Sequence, residues 1–412
     1  LLNNTIYYIT GIFDKPLSFL AIRFNKVIIE SFYFSKINLL KIFIKSSIFP
    51  SFYQNTFNEE KFKNKKKIDK KKRENFFTTN KEIVSDFEKY IFFALQMDFP
   101  TSYFEDFDKI DKQNSSINNL KKKLIFTMIS HVSNERFKIW LAKMLGKGSK
   151  LFVAEHGGFL KYKINGFFEH ELKICEKSLT WQKTGNKKEF QITPVQLLKA
   201  KKLKQNNPGS LLIINCETVK YPVKIQSWPY AEQYKLGFNS VCNFVENLNS
   251  EIYKKVIYRS NNFGYNTSSQ FISKFKDLKC NDTFSTKMHD DFSKSKMIIC
   301  NYPDTPLTEA IIADIPTIVM FSRKLYQISE IANEILLDLK KNNILFENPI
   351  EASNHINQVW NNPREWWDSK NTQDALKKLS NYAFKMRDDW DIEWSNFITN
   401  ERYHLNKYRK TF

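Results

Sequence analysis

Residues Leu151–Lys173 read LFVAEHGGFLKYKINGFFEHELK. The first four, Leu151-Phe152-Val153-Ala154, form an unbroken apolar run of the length expected of a buried parallel strand. Glu155-His156-Gly157-Gly158 follows at once, and the paired glycines let the backbone turn sharply or approach a ligand closely. One helix later comes a second cluster, Glu169-His170-Glu171. Ligands of open α/β sheets bind just beyond the carboxyl ends of the strands. Two of the chain's six histidines are therefore expected where a site would form.

Working outward, Leu124–Ile129 is a strand and 134–145 a helix, closed by Gly146 and Gly148. Together with Leu151–Ala154 they make a βαβ unit with His156 at its carboxyl edge. Upstream, 5–10 and 26–29 are strand candidates and 35–45 a helix. Residues 57–80 read as a polar, partly disordered connection, and 81–96 as a helix. Within that last helix the apolar residues Ile83, Phe87, Tyr90, Ile91 and Ala94 recur at helical spacing.

The composition changes at 199–208, KAKKLKQNNP, and the α/β alternation then restarts. Strands are expected at 211–215, 254–258, 297–300 and 317–321, with helices between them at 230–248, 267–275, 288–293, from Pro306 and at 326–340. The tail is helical and rich in tryptophan. This predicts an α/β chain with an N-terminal Rossmann-like domain over 1–200, a basic linker near 57–80, a second Rossmann-like domain over 201–360, and C-terminal helices over 361–412. Trp360, Trp366, Trp367, Trp390 and Trp394 are read as packing residues.

A second segment, Lys296–Glu309, reads KMIICNYPDTPLTE. A strand gives way to a polar loop and then a helix, with Thr305 expected as N-cap and Pro306 at the first helical position. Thr308 and Glu309 lie in the first turn. Free amides at such a start attract phosphate, and a nearby carboxylate can accept from a ribose hydroxyl.

The 412 residues, 42% hydrophobic, are enough for two sizeable cores. A formal charge of +20 favours anionic partners. Part of the excess is local, in Lys61–Arg73, KFKNKKKIDKKKR, with nine Lys or Arg and one Asp. Two readings of that run stand, a solvated loop and attraction to an anionic membrane surface. Nucleic acid is not expected, since no binding signature appears and the run lacks interleaved aromatics. Five scattered cysteines without a C-x-x-C pair argue against structural zinc and a disulfide framework, and suit a cytoplasmic protein. The apolar stretch 37–49 is interrupted by Lys41 and Lys45 and is too short to span a bilayer, leaving peripheral contact at the inner face of the membrane. The chain opens at Leu1, which reads as a fragment or as a processed chain.

No metal is expected: no Asp-x-Asp follows a strand, and Asp290-Asp291 and Asp388-Asp389 sit on expected helices with divergent faces. There is no Gly-x-Ser-x-Gly elbow and no Gly-x-x-x-x-Gly-Lys phosphate loop.

The ordered set His156-Gly157-Gly158, Glu169-His170-Glu171, Leu179-Thr180-Trp181, Thr305-x-x-Thr308-Glu309, Asp314-Ile315-Pro316-Thr317-Ile318 and Trp360 through Trp366-Trp367 resembles the transferases of O-antigen and surface-polysaccharide gene clusters. The chain departs from that pattern at Phe159-Leu160-Lys161, in place of a glycine-rich continuation, and at Gln182-Lys183, in place of Gly-Trp. The resemblance implies a GT-B-like chain, two Rossmann-like domains facing a cleft with the C-terminal helices crossing back. It implies transfer of a sugar from a nucleotide-activated donor to a bacterial surface glycan or lipid-linked glycan, with no cofactor. His156, Glu169, His170 and Glu171 would then stand on the acceptor side as candidate bases. Gly157, Gly158, Thr305, Thr308 and Glu309 would line the binding face, with the 305–306 helix start facing the leaving phosphate and Glu309 the ribose. A nucleotide-sugar epimerase or polyol-phosphate polymerase on the same scaffold, and a non-catalytic polysaccharide-assembly protein, remain alternatives.

Overall fold

The structure, a computed structural model, describes residues 23–48, 57, 67–78, 85–118, 120–157, 166–182, 185–215, 217, 231–260, 264–282, 284–325 and 328–407. The strand expected at 5–10 and Cys216 lie outside them. Two sheets organise the chain, one of five strands in the order β1-β2-β3-β4-β5 and one of six in the order β11-β10-β9-β6-β7-β8.

One compact unit comprises 1–154, 175–177 and 391–412. It holds β1 (Val27–Glu30), β2 (Leu124–Thr127) and β3 (Lys150–Ala154), paired in parallel with Glu30 opposite Thr127 and Thr127 opposite Val153. Helix α1 (Lys36–Ser46) starts where the Ser35 side chain accepts from the Asn38 amide at 3.1 Å. Among the further helices that precede β2 are α2 (Lys70–Thr78) and α3 (Asp86–Asp98). Ser85 and Glu88 close a reciprocal capping box at the start of α3, a device that stabilises a helix by about 1 kcal/mol. A short helix α4 (Ser130–Ser133) leads into α5 (Glu135–Gly146), capped by Asn134. Gly148 then adopts φ +83° to turn the chain into β3. Phe126 of β2 stacks on Phe152 of β3 with ring centroids 4.7 Å apart, and Phe397 meets both rings edge-on.

Two segments are more specific here than in the sequence pattern alone. The connection at 57–80 is not wholly irregular: α2 lies within it, Phe57 is fully buried, and Arg73, the last residue of the basic run, is 1% exposed. The guanidinium is buried because it meets Glu105 and the last carbonyls of α3. The stripe on α3 is not a core stripe, because no residue of that helix is buried.

The other unit comprises 155–174 and 178–390. Helix α6 (Gly166–Ile174) precedes β4 (Lys177–Thr180), which pairs in parallel with β5 (Glu189–Gln191). The six-stranded sheet is built from β6 (Ser210–Ile214), β7 (Val256–Ser260), β8 (Lys279–Asp282), β9 (Ser295–Cys300), β10 (Thr317–Met320) and β11 (Leu345–Phe346), all parallel. From β6 the chain steps outward through β7 and β8, then returns to the other side of β6 for β9, β10 and β11. This is the Rossmann order, and its direction reverses between β6 and β9. Strands β4, β5, β8 and β11 escaped the sequence reading because they are two to four residues long or polar, as in KCND.

The apolar runs of this sheet are buried on both faces, as parallel strands require. Leu211 and Ile213 pack on one face with Val241 and Val245 of α7 (Ala231–Glu246). Leu212 and Ile214 pack on the other with Trp367 and Leu379. Further helices are α8 (Thr267–Lys274), α9 (Met288–Lys294), α10 (Thr305–Ile312), α11 (Glu330–Lys341), α12 (Pro349–Val359), α13 (Pro363–Trp367), α14 (Lys370–Ala383) and α15 (Trp390–Lys407), the last belonging to the first unit from Asp391 on. Trp360, Trp367 and Trp394 are buried, in keeping with their reading as packing residues.

Candidate functional site

The reversal between β6 and β9 opens the crevice in which sheets of this order bind ligands. Each of these strands is followed directly by an asparagine, Asn215 and Asn301, both buried. Asn301 Nδ2 donates to Asn215 Oδ1 at 2.5 Å, so the two amides bridge the strand ends. Helix α7 passes close above: a Cβ on Gly237 would come within 3.3 Å of Asn301 Nδ2. Behind Asn215 lies Glu217, 3% exposed, which accepts from Ser260 Oγ at 2.7 Å and Thr267 Oγ1 at 2.9 Å. Its other oxygen accepts from the Gly264 amide at 3.3 Å. This network ties Glu217 to Ser260 at the end of β7 and to Gly264 and Thr267 beyond it. The sequence reading missed it, although the signal was present: a polar amide directly after each of two apolar runs.

The start of α10 corrects the expected cap. Asp304, not Thr305, is the N-cap, and Thr305 rather than Pro306 is the first helical residue. Asp304 has an acceptor side chain already in extended backbone, and its Oδ1 takes the Thr305 amide at 2.7 Å. The Asp304 carbonyl takes the amides of Leu307 and Thr308, and Pro306 has no N–H. The amides expected to be free for phosphate are thus engaged, and a carboxylate stands among them. What the first turn retains is a set of hydroxyl and carboxylate groups. Thr308 is fully buried, and its Oγ1 has no hydrogen-bond partner. Native interiors seldom leave a hydroxyl so, and each such group calls for a specific explanation.

Glu309, 9% exposed, reaches toward α9, where His289 Nε2 stands 3.5 Å from its Oε1. Helix α9 is held by Asp291, which makes a buried ion pair with Arg259 of β7 and accepts from Asn281 Nδ2 at 2.8 Å. One strand further out, Arg323 follows β10, its guanidinium held by Glu347 at 3.3 Å and Asn333 Oδ1 at 3.0 Å. Burial acts to raise the Glu347 carboxyl, but hydrogen bonds from Lys340 and Arg323 outweigh it and hold the pKa at about 2. Arg323 is therefore a cation of fixed orientation at the same edge of the sheet. Neither His289 nor Arg323 was singled out in the sequence, since both stand outside any recognisable motif.

Around the first candidate stretch, His156 is half-buried two residues beyond β3, and Gly157 is buried. Gly158 lies outside the described residues. The strand-to-loop exit is braced by Glu155. Its Oε2 accepts from the Trp181 amide at 2.9 Å, and its carbonyl accepts from Trp181 Nε1 and Gln196 Nε2, each at 3.1 Å. The Glu169-His170-Glu171 cluster does not converge: on α6 Glu169 and His170 are exposed while Glu171 is 4% exposed. Consecutive helical residues diverge by ~100° about the axis, so the three cannot face one point. Among the described residues no three His, Cys, Asp or Glu side chains are grouped as metal ligands.

Solved structures to which this chain is similar include S. aureus MnaA with UDP, Acinetobacter baumannii MurG and the wall teichoic acid polymerase TagF. MnaA shares 10% identity at a TM-score of 0.43, covering 75% of this chain and 83% of that one. MurG shares 14% at 0.35, covering 66% and 77%, and TagF 10% at 0.40, covering 80% and 87%. No curated protein matches the sequence. The model of one family matches residues 2–398, almost the whole length, and the chain belongs to that family, the LIC12162 family of transferases.

Proposed function

We propose that this transferase moves a sugar from a nucleotide-activated donor to a surface glycan or lipid-linked glycan of the O-antigen or capsule type. The observation that carries the reading is the strand reversal between β6 and β9, bridged by Asn215 and Asn301 and flanked by the hydroxyl and carboxylate groups of α10. A nucleoside offers ribose hydroxyls that carboxylates accept from, and Glu309 and Thr308 stand where that recognition is expected at a sheet of this order. Arg323 supplies positive charge for a departing phosphate, a role that amides engaged by Asp304 do not fill. His156, half-buried at the end of β3, is the favoured base for the acceptor hydroxyl, ahead of the divergent Glu169, His170 and Glu171. The reaction needs no cofactor, and the setting is cytoplasmic, at or near the inner face of the membrane.

The test is a thermal-shift screen of the purified chain against CMP, UDP, GDP, ADP and TDP, repeated with Glu309→Ala. A ligand that binds only the folded state at a hundredfold excess over its dissociation constant adds ~2.7 kcal/mol of stability. A shift with one nucleotide, lost in the variant, supports the donor site. No shift with any of them removes the reading. Release of free sugar or growth of a polyol-phosphate polymer without glycosyl transfer would favour an epimerase or a polymerase instead. Full complementation by the His156→Ala, Glu169→Ala double variant would favour a non-catalytic role in assembly.

A further inference from the structure

Helix α3 presents the apolar residues that recur along it to solvent. Phe87 is 72% exposed, Tyr90 65%, Phe93 62% and Met97 52%, with Ile91 beside them. At ~100° per residue, Phe93, Met97, Tyr90, Ala94, Phe87 and Ile91 fall in sequence around an arc of about 160°, which also holds Asp86 and Asp98, the first and last residues of the helix. On the opposite side Phe92, Leu95 and Gln96 are partly exposed, and the charged Glu88 and Lys89 are exposed. A helix with this much apolar surface facing outward marks an interaction face.

The neighbouring segment has the opposite chemistry. Lys67, Lys70, Lys71 and Lys72 are exposed at the start of α2, with Ile68 and Phe76 exposed among and after them. Of the acids nearby, Asp69 Oδ1 accepts from the Lys72 amide, Asp86 pairs with Lys89 and Glu88 closes the Ser85 cap, while Glu74 and Asp98 are exposed beside them. The two helices are locked together through Arg73. Its guanidinium takes Glu105 through two hydrogen bonds, of 2.7 and 2.8 Å, and donates to the carbonyls of Gln96 and Phe99 at the end of α3. The lysines of α2 and the aromatic arc of α3 therefore belong to one fixed element.

We infer that the α2–α3 element is a membrane-docking device whose partner is an anionic lipid bilayer surface. Phe and Tyr in an amphipathic arc settle into the headgroup boundary, while adjacent lysines are attracted by anionic headgroups. Charge decides for lipid over a second copy of the chain, since a chain of net charge +20 repels itself and is drawn to a negative surface. No described helix is long and apolar enough to cross a membrane, so this contact is interfacial. The inference is independent of the nucleotide site, because it concerns only α2, α3 and the residues that join them.

The experiment is density-gradient flotation of the full chain, without nucleotide, with vesicles of phosphatidylcholine alone or mixed with phosphatidylglycerol. One variant carries Phe87→Ser, Tyr90→Ser and Phe93→Ser; another carries Lys67→Gln, Lys70→Gln, Lys71→Gln and Lys72→Gln. The expected result is flotation with the anionic vesicles, weakened at least tenfold in each variant and further weakened by raising salt. A lysine near such a surface contributes roughly fivefold in affinity, so four of them predict a readily measured loss. The lysine variant alters only exposed side chains and carries the test if the aromatic variant melts early. Failure of the wild-type chain to float with anionic vesicles would overturn the inference, as would variants that bind like wild type. So would a wild-type dimer that the aromatic variant converts to a monomer, because the arc would then be covered by a second copy.

Discussion

His289 Nε2 stands 3.5 Å from Glu309 Oε1, joining the two helices that follow β8 and β9. The helix carrying the histidine is anchored in turn by the buried Arg259–Asp291 ion pair. A carboxylate held in this way is oriented before ligand binds, and hydrogen bonds to a charged group contribute about 1.5–3 kcal/mol.

Glu309→Gln keeps the shape and removes the charge. We expect it to weaken nucleotide binding by about 10- to 100-fold, measured by calorimetry with the nucleotide selected in the thermal-shift screen. His289→Ala should weaken the same binding less, since it removes only an orienting contact. Equal affinities for wild type and Glu309→Gln would exclude a ribose contact at this position.

Thr308→Val replaces a buried hydroxyl that has no partner with a methyl group of the same shape. Removing an unsatisfied polar atom is neutral or stabilising, by up to about 1 kcal/mol. If the hydroxyl serves the ligand, the variant melts at or above the wild-type temperature yet loses part of its nucleotide-induced shift. Lower stability with an unchanged shift would assign Thr308 to packing alone.

The parts of the fold that were readable from sequence were those with strong local signals. Runs such as Leu211–Ile214 and Met297–Cys300 are uniformly apolar because parallel strands are covered on both faces, and the structure places β6 and β9 there. Strands such as Lys279–Asp282 and Glu189–Gln191 carry no such signal, because their place is set by neighbours rather than by their own apolarity. The candidate site divides likewise. Thr305, Thr308 and Glu309 were reachable through the helix-start pattern, while Asn215, His289 and Arg323 come together only through the topology. The α3 stripe shows the converse: periodicity reports that a helix has an apolar face, not what covers it.

Arg73 and Glu105 provide a test of the α2–α3 lock that needs no ligand. The Arg73 hydrogen bonds hold the Glu105 carboxyl at about pH 2, against the opposing effect of burial. Both side chains are nearly inaccessible, at 1% and 4%. Removing one partner of a buried pair leaves an uncompensated charge and costs about 3–5 kcal/mol. Glu105→Ala should therefore lower the urea midpoint strongly, with a smaller loss for a double variant, Arg73→Met with Glu105→Leu. A cost below about 1 kcal/mol for the single variant, typical of an exposed pair, would show that the lock is not buried in solution.

His355 sets the expected acid response of the second unit. It lies 8% exposed between Phe346, 5.4 Å away, and Trp366, 4.7 Å away, and its Nε2 has no hydrogen-bond partner. Burial lowers its pKa from 6.5 to about 4, so the folded chain keeps this ring neutral where the unfolded chain would protonate it. The unfolded state binds the extra proton between these two values. The stabilisation is therefore complete above pH 6.5 and is lost as the pH falls through 4. At pH 4.5 the loss amounts to about 2.5 kcal/mol. Urea unfolding at pH 7.5 and pH 4.5, compared between wild type and His355→Leu, isolates this contribution from every other titrating group. The wild type should lose about 2.5 kcal/mol more than the variant over that interval; equal losses would mean that the ring is already solvated in the folded chain.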